Sequence, residues 1–186
     1  MKISSVVSAA VAVGLGVFVA SAVQAGEASG RIAPHAERWE ARIGGGIYDA
    51  GVFVPHDFNG GTLNGEILAP SPGFLAWLGS PRPYVGADVA LSSDPVHFLY
   101  AGLNWEARLT EGLYVGFSAG GSVNTGRHIG PRDLGSNVLF HLQASAGVDV
   151  TESTAFQVYF NHFSNAELAG ANDGFENAGA RLVLRF

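Results

Sequence analysis

Three residues near the end of the chain have the types and the spacing of a hydrolytic triad. His162 and Ser164 are two positions apart, and Glu176 follows the polar segment 165–175. Residues i and i+2 of a β-strand project from the same face, so a strand makes the imidazole and the hydroxyl neighbours. A serine becomes an effective nucleophile when a histidine takes its proton, and a third group must orient that histidine. Ser164, His162 and Glu176 can fill these three roles in that order.

Strands are the elements that must position these residues. Alternation of apolar and polar residues with a period of two recurs eight times, which predicts strands at 38–49, 62–69, 84–91, 97–109, 113–123, 138–150, 155–163 and 176–186. Such strands, with one apolar and one polar face, are typical of outer-membrane barrels. We therefore predict an all-β fold, an eight-stranded antiparallel up-and-down transmembrane β-barrel.

Composition favours the same fold. Charged residues make up 14% of the chain and hydrophobic residues 47%, whereas a soluble domain usually carries about 25% charged residues. No stretch of the mature chain reaches the ~18 consecutive apolar residues of a spanning helix. Only helices and closed barrels satisfy the backbone inside lipid, so these features together indicate a barrel. A net charge of −6 without a basic cluster argues against a nucleic-acid partner.

Residues 1–25 are predicted to be a signal peptide. Lys2 precedes the apolar run 6–20, and Val23 and Ala25 occupy the −3 and −1 positions of a cleavage site. The absence of cysteine excludes a disulfide framework in the exported chain. Residues 26–186 then form the barrel in the bacterial outer membrane, and residues 26–35 are expected to be a loose leader.

The even strand number predicts that both termini lie on the periplasmic side. Links 110–112 and 151–153 then become periplasmic turns, and segments 124–137 and 165–175 become external loops. The segment from Pro70 to Pro83 fits this pattern badly, because it is long and apolar for a periplasmic turn. Eight strands leave no room for a channel, so inward polar side chains should form a packed core. The charged residues and the histidine at the predicted inward-facing positions are Glu40, Arg42, Asp88, Glu106, Arg108, His141, Asp149, Arg181 and Arg185.

The candidate triad has the parity of the lipid-facing surface. Phe156 and Val158 occupy even positions of their strand, and His162, Ser164 and Glu176 are even as well. A charged side chain on the lipid face costs about 2–4 kcal/mol at the midplane for Arg or Lys and ~0–1 near the interface. The outer rim is therefore a tolerable place that directs the three groups towards the outer leaflet. The alternative is that they are ordinary rim residues where a strand enters a polar loop.

A motif crosses the last external loop: His162-Phe163-Ser164-Asn165-Ala166, then Asn172-Asp173-Gly174, then Glu176. It resembles the active-site signature of outer-membrane lipid A 3-O-deacylases of the PagL type, which reads His-aromatic-Ser-Asn-Ala, a short glycine-containing loop, Asn-x-Gly and Glu. The segment Leu134-Gly135-Ser136 with Phe140 resembles a weaker feature of the family. Glu167 and Ala171 depart from the small residue and the proline that the family often has, which affects the expected loop shape and substrate preference.

The resemblance implies hydrolysis of the ester-linked 3-hydroxyacyl chain from the proximal glucosamine of lipid A, the lipid of lipopolysaccharide. His162 would take the proton of Ser164, and Glu176 would orient His162. Oxyanion donors are expected in the loop 165–174, with Asn172 as the first candidate. The scheme needs no cofactor and no metal, and the sequence leaves open whether the barrel forms a homodimer.

Three other functions are compatible with parts of this sequence. Outer-membrane phospholipases A also use a His-x-Ser-Asn motif on the barrel exterior, but they resemble a longer, twelve-stranded barrel with asparagine as the third triad member and bound calcium. The shorter chain and Glu176 argue against that class. A non-enzymatic structural or adhesive barrel would not need Ser164 to change the lipid. A soluble lipid-binding barrel would need a polar exterior, which the predicted strands lack.

Overall fold

The computed structural model describes residues 31–54 and 60–186, which form a closed antiparallel β-barrel with a meander topology. Each strand pairs with its sequence neighbours, and the last strand pairs with the first. The strands are β1 (Glu40–Tyr48), β2 (Gly61–Leu68), β3 (Arg82–Leu91), β4 (Phe98–Arg108), β5 (Leu113–Asn124), β6 (Val138–Asp149), β7 (Thr154–Ser164) and β8 (Phe175–Arg185). The predicted eight-stranded up-and-down barrel is confirmed.

The predicted signal peptide lies outside the described residues. No helix in the described ranges is long and apolar enough to cross a bilayer.

Alternation of side chains produces an apolar wall and a polar lumen. Outward side chains along the strands are exposed and apolar, as a surface against lipid hydrocarbon requires. They include Ile43, Leu63, Val85, Leu99, Val148 and Phe156. The predicted inward residues lie inside the barrel, with Arg108 and Asp149 at its partly exposed mouth.

Ion pairs fill the half of the lumen that lies near the start of β1 and the end of β4. The guanidinium of Arg42 bonds to Glu40, lies 3.2 Å from a Glu66 carboxylate oxygen and lies 2.7 Å from one of Glu106. Arg82, which lies before the predicted start of its strand, also points inward and approaches Glu106 at 2.9 Å. Buried charges are tolerated when they are paired and hydrogen-bonded, and this network satisfies that condition.

Residues 31–35, the described part of the expected leader, are not loose, contrary to the expectation. Ile32 forms a β-bridge with Ala107, and the Ala33 N–H donates to the Glu106 carbonyl at 2.9 Å. His35 is buried, and its Nδ1 lies 2.9 Å from a Glu106 carboxylate oxygen. The reason is that β3 begins opposite Asn104, so the edge of β4 beyond that point needs another backbone partner.

The two ends of the barrel differ. At one end lie Arg31, which is the first described residue, the C-terminal Phe186, the short turns 109–112 and 150–153, and the β2–β3 connection, which contains a short 3-10 helix at Gly73–Leu78. At the other end lie loop 1 (described at 49–54 and 60), loop 2 (92–97), loop 3 (125–137) and loop 4 (165–174). Loop 3 carries a small hairpin of His128–Ile129 and Arg132–Asp133. Outer-membrane barrels have short periplasmic turns and longer external loops, so loops 1–4 are external.

Replacement of Arg42 by methionine should destabilise the barrel by about 3–5 kcal/mol, because the buried carboxylates that it contacts lose a shared cation. Unfolding in urea, followed by the loss of the heat-modifiable folded band on electrophoresis, measures the change. Ile43→Met, one residue away on the exposed wall, is the matched control and should stay close to wild type. Equal urea midpoints for the two variants would show that the lumen network does not stabilise the fold.

Candidate active site

The pairing of β7 with β8 brings His162 and Glu176 together. These two residues are directly opposite each other in the register, and His162 Nδ1 lies 3.0 Å from Glu176 Oε1. Cross-strand partners on one face have Cβ atoms about 5 Å apart, which suits such a contact. Both side chains lie on the outer face, as the parity predicted.

Ser164 is the last residue of β7 and lies on the same face as His162. It extends beyond the last pair with β8, Phe175 with Phe163, and its neighbour on β6 is Phe140. Within the described ranges, no hydrogen bond joins Ser164 to His162. Because Glu176 engages Nδ1, Nε2 is the ring nitrogen that remains for a serine proton. Catalytic hydrogen bonds often tighten only in the substrate complex.

Inward-pointing aromatic residues fix the direction of the three candidates. Phe163 and Phe175, next to them in sequence, are completely buried at the outer end of the lumen. Phe98 stacks on both rings, with centroid distances of 4.3 Å and 4.9 Å. Since successive strand residues point to opposite sides, these anchors hold His162 and Glu176 on the exterior.

Glu176 points outward and is nevertheless 0% exposed, because loop 1 covers it. The backbone N–H groups of Val52 and Phe53 donate to Glu176 Oε2 at 2.6 Å and 2.8 Å, and the Ala50 N–H donates to the Glu176 carbonyl at 2.8 Å. The other carboxylate oxygen is left for His162, whose side chain is 16% exposed. This contact has no signature in the sequence, since its donors are backbone groups.

Loop 3 ties loops 1 and 4 together behind the site. Arg132 forms an ion pair with Asp49 of loop 1 and donates to the Gly174 carbonyl at 3.4 Å. The Asp133 N–H donates to the Asp173 carboxylate at 2.8 Å, and the Asp173 N–H donates back to the Asp133 carbonyl at 3.2 Å.

A hydrogen bond also stabilises the charged form of the Asp133 side chain. The Gly135 N–H donates to its carboxylate at 2.8 Å and lowers the pKa of Asp133. The charge of this loop residue therefore persists to lower pH than that of an isolated aspartate.

Asn165 organises loop 4, a role that the sequence did not reveal. Its Nδ2 donates to the carbonyls of Leu134 at 2.8 Å and Ala171 at 2.6 Å, and its N–H donates to Asn172 Oδ1 at 2.9 Å. Asn172, the predicted oxyanion donor, therefore uses its oxygen inside the loop and keeps Nδ2 as its donor. Glu167 has a positive φ of 65°, a conformation in which glycine is less strained because it has no Cβ.

A different group has the donor types of a metal site, at the far end of the barrel. Among the described residues, His35, Glu40 and Glu106 bring ligand atoms within 4.8 Å of one another. Arg42 and Arg82 already contact both carboxylates, so cationic side chains occupy the positions that a metal ion would need. This trio belongs to the lumen network.

Solved structures show the class of protein that this fold defines. The crystal structure of the outer membrane enzyme PagL has a TM-score of 0.59 at 18% identity, covering 79% of this chain and 98% of that chain. The crystal structure of the N-terminal β-barrel domain of Pseudomonas aeruginosa OprF has a TM-score of 0.56 at 14% identity, covering 81% of this chain and 98% of that chain. A barrel from the de novo design of transmembrane β-barrels has a TM-score of 0.53 at 13% identity, covering 81% of this chain and 96% of that chain. At these identities the likeness shows the fold alone, and that fold is an outer-membrane β-barrel.

The family comparison is more specific. The model of the family "Lipid A 3-O-deacylase (PagL)" matches residues 97–185, from the start of β4 to the end of β8, and this range includes all three candidate triad residues. The resemblance to this family is confirmed over that part of the chain, as is the outer-membrane location that it implies. A search of curated proteins finds no match.

Replacement of Gly135 by alanine should loosen loop 4, because a Cβ there would lie 1.9 Å from the Ala171 carbonyl and 2.6 Å from Asn165 Nδ2. Its φ of +75° adds roughly 1–2 kcal/mol of strain for a residue with a Cβ. Hydrogen exchange should become faster at residues 165–174. Gly170→Ala in the same loop, where a Cβ meets nothing within 4 Å, is the control. Unchanged exchange in Gly135→Ala would show that the close approach of loops 3 and 4 does not hold the site.

Proposed function

We propose that this chain is a lipid A 3-O-deacylase, a serine esterase that removes the ester-linked 3-hydroxyacyl chain of lipid A in the outer leaflet. The observation that carries the proposal is the hydrogen bond of 3.0 Å between His162 and Glu176 on the outside of the barrel, with Ser164 beside it on the same face. The family match over residues 97–185 supports the choice of lipid A.

In the proposed reaction, Ser164 Oγ attacks the ester carbonyl while His162 Nε2 takes its proton. The tetrahedral intermediate collapses, and the sugar hydroxyl leaves with the proton from His162. A water molecule then attacks the acyl-serine with His162 as the base, which releases a 3-hydroxy fatty acid and restores Ser164. Glu176 keeps Nδ1 protonated and stabilises the imidazolium that forms in each half-reaction. Asn172 Nδ2 is the proposed donor to the oxyanion.

The surroundings of Ser164 fit an acyl ester that stays in the membrane. Phe140 and Leu142 of β6 lie opposite Ser164 and His162 and face the lipid side. On the other flank, Phe53 of loop 1 contacts Phe160 edge to face at 5.8 Å between ring centroids. The proposed nucleophile therefore borders apolar wall rather than the polar lumen, so an acyl chain need not leave the hydrocarbon phase to reach it.

Ser164→Ala should abolish deacylation, because the alanine side chain has no nucleophile. Mass spectrometry of lipid A from cells that express the wild type should show the loss of one hydroxyacyl mass, and cells with the variant should not. Ser153→Ala, in an exposed periplasmic turn, is the matched control and should behave as wild type.

The same assay distinguishes the alternatives. Identical lipid A spectra for the wild type and Ser164→Ala would count against the enzyme. Release of fatty acid from glycerophospholipid, with loss of activity on addition of a calcium chelator, would indicate a phospholipase A instead.

Glu176→Gln should reduce kcat by about 10⁴-fold while the barrel stays folded, in line with the effect of an amide at the acid of a triad. The two N–H donors of loop 1 require an acceptor, so they should hold the amide oxygen. The amide NH₂ then faces His162 Nδ1 and makes it an acceptor. The proton moves to Nε2, which can no longer accept the proton of Ser164.

Single-turnover hydrolysis of purified lipid A, together with nitrogen chemical shifts of His162, checks both parts of this prediction. Glu152→Gln in an exposed turn is the control. Wild-type kcat in Glu176→Gln would exclude Glu176 from the proposed triad and would leave Ser164 and His162 to be tested alone.

A further inference from the structure

The β2–β3 connection, residues 69–81, differs from the other turns at the periplasmic end. It contains no charged residue, whereas the turns 109–112 and 150–153 each contain a glutamate. Two of its aromatic side chains are among the most exposed in the described chain, Phe74 at 75% and Trp77 at 81%. Exposed apolar surface of this kind marks a site of interaction.

The connection is ordered by its own hydrogen bonds. The Leu75 N–H donates to the Pro72 carbonyl at 2.9 Å, and the Ser80 N–H donates to the Leu75 carbonyl at 3.2 Å. Gly79 ends the 3-10 helix with a φ of 84° and donates to the Ala76 carbonyl at 3.1 Å. The two exposed aromatic side chains are thus presented by a defined turn, although packing inside the protein does not require them.

The connection is also attached to the outside of the barrel. Trp105 of β4 has the outward parity of Leu99, and its indole N–H donates to the Leu78 carbonyl at 3.0 Å. This bond holds the 3-10 helix beside the lipid-facing wall and not beneath the lumen. Trp39, the residue before β1, is a further exposed aromatic side chain at this end.

We propose that the β2–β3 connection is a membrane anchor, which inserts Phe74 and Trp77 into the interface of the periplasmic leaflet. The partner is the phospholipid surface, because the connection is uncharged and continuous through Trp105 with the wall that already contacts lipid. Aromatic side chains favour the boundary between headgroups and hydrocarbon, where an apolar ring and a polar edge are both satisfied. The anchor would fix the depth of the barrel at the end opposite Ser164.

Spin labels can test this placement, because the chain contains no cysteine and one introduced cysteine gives one label. Phe74→Cys and Trp77→Cys each carry the label and keep the other aromatic residue. Glu111→Cys, in a charged turn at the same end, is the water-exposed control, and Val158→Cys on the wall is the lipid-exposed control. The purified barrels are placed in phosphatidylcholine vesicles, whose two leaflets are alike, so the direction of insertion does not matter.

Collision rates with oxygen, which concentrates in lipid, are compared with those of a water-soluble nickel chelate. The ratio of oxygen to nickel accessibility should be several-fold higher at positions 74 and 77 than at 111, and lower than at 158. A ratio at both positions equal to that of Glu111→Cys would overturn the proposal, and would show that these side chains face water and are free for a periplasmic protein. The result does not depend on catalysis, so it is separate from the tests of Ser164 and Glu176.

Discussion

The site depends on the strict alternation of side chains in β7 and β8, and inward anchors fix that alternation. Phe163 and Phe175 pack against Phe98 inside the barrel. One Asp88 carboxylate oxygen accepts hydrogen bonds from Asn161 Nδ2 at 2.9 Å and Asn177 Nδ2 at 3.0 Å. A slip of one residue would turn every side chain of a strand to the other face and would bury a triad candidate in the lumen. Each outward candidate on these strands is therefore flanked by an inward residue that resists such a slip.

Loop 1 covers Glu176, a carboxylate that the alternation of side chains turns towards the lipid side. A carboxylate on the lipid side would otherwise lack hydrogen-bond partners, and an unpaired charge in an apolar medium is strongly unfavourable. Loop 1 supplies two N–H donors to one oxygen, and His162 occupies the other. The carboxylate is thus satisfied without water, and its orientation towards the imidazole is set before substrate arrives. Because loop 1 is held through Asp49 and Arg132, external loops distant in sequence contribute to this orientation.

The sequence predicted the features that follow from side-chain parity and missed those that depend on backbone contacts. Parity identified the eight strands, the polar lumen and the outward direction of His162 and Glu176. The loop 1 donors have no sequence signature, because any residue except proline provides an N–H. Arg82 was missed because the proline that follows it obscured the start of β3. His35 was placed in a loose leader because a short bridge to the edge of β4 leaves no period-two pattern.

The three candidate residues are not held equally firmly, and this difference bears on the acyl-chain specificity of the proposed enzyme. Glu176 and His162 lie in a continuous ladder and are fixed by hydrogen bonds, whereas Ser164 lies one residue beyond the last β7–β8 pair. Its position depends on β6 and on loop 4, which Asn165 holds through the carbonyls of Leu134 and Ala171. In the proposed mechanism, changes in loop 4 should therefore alter where Ser164 meets the ester, and hence the choice of acyl chain, more than they alter the basicity of His162.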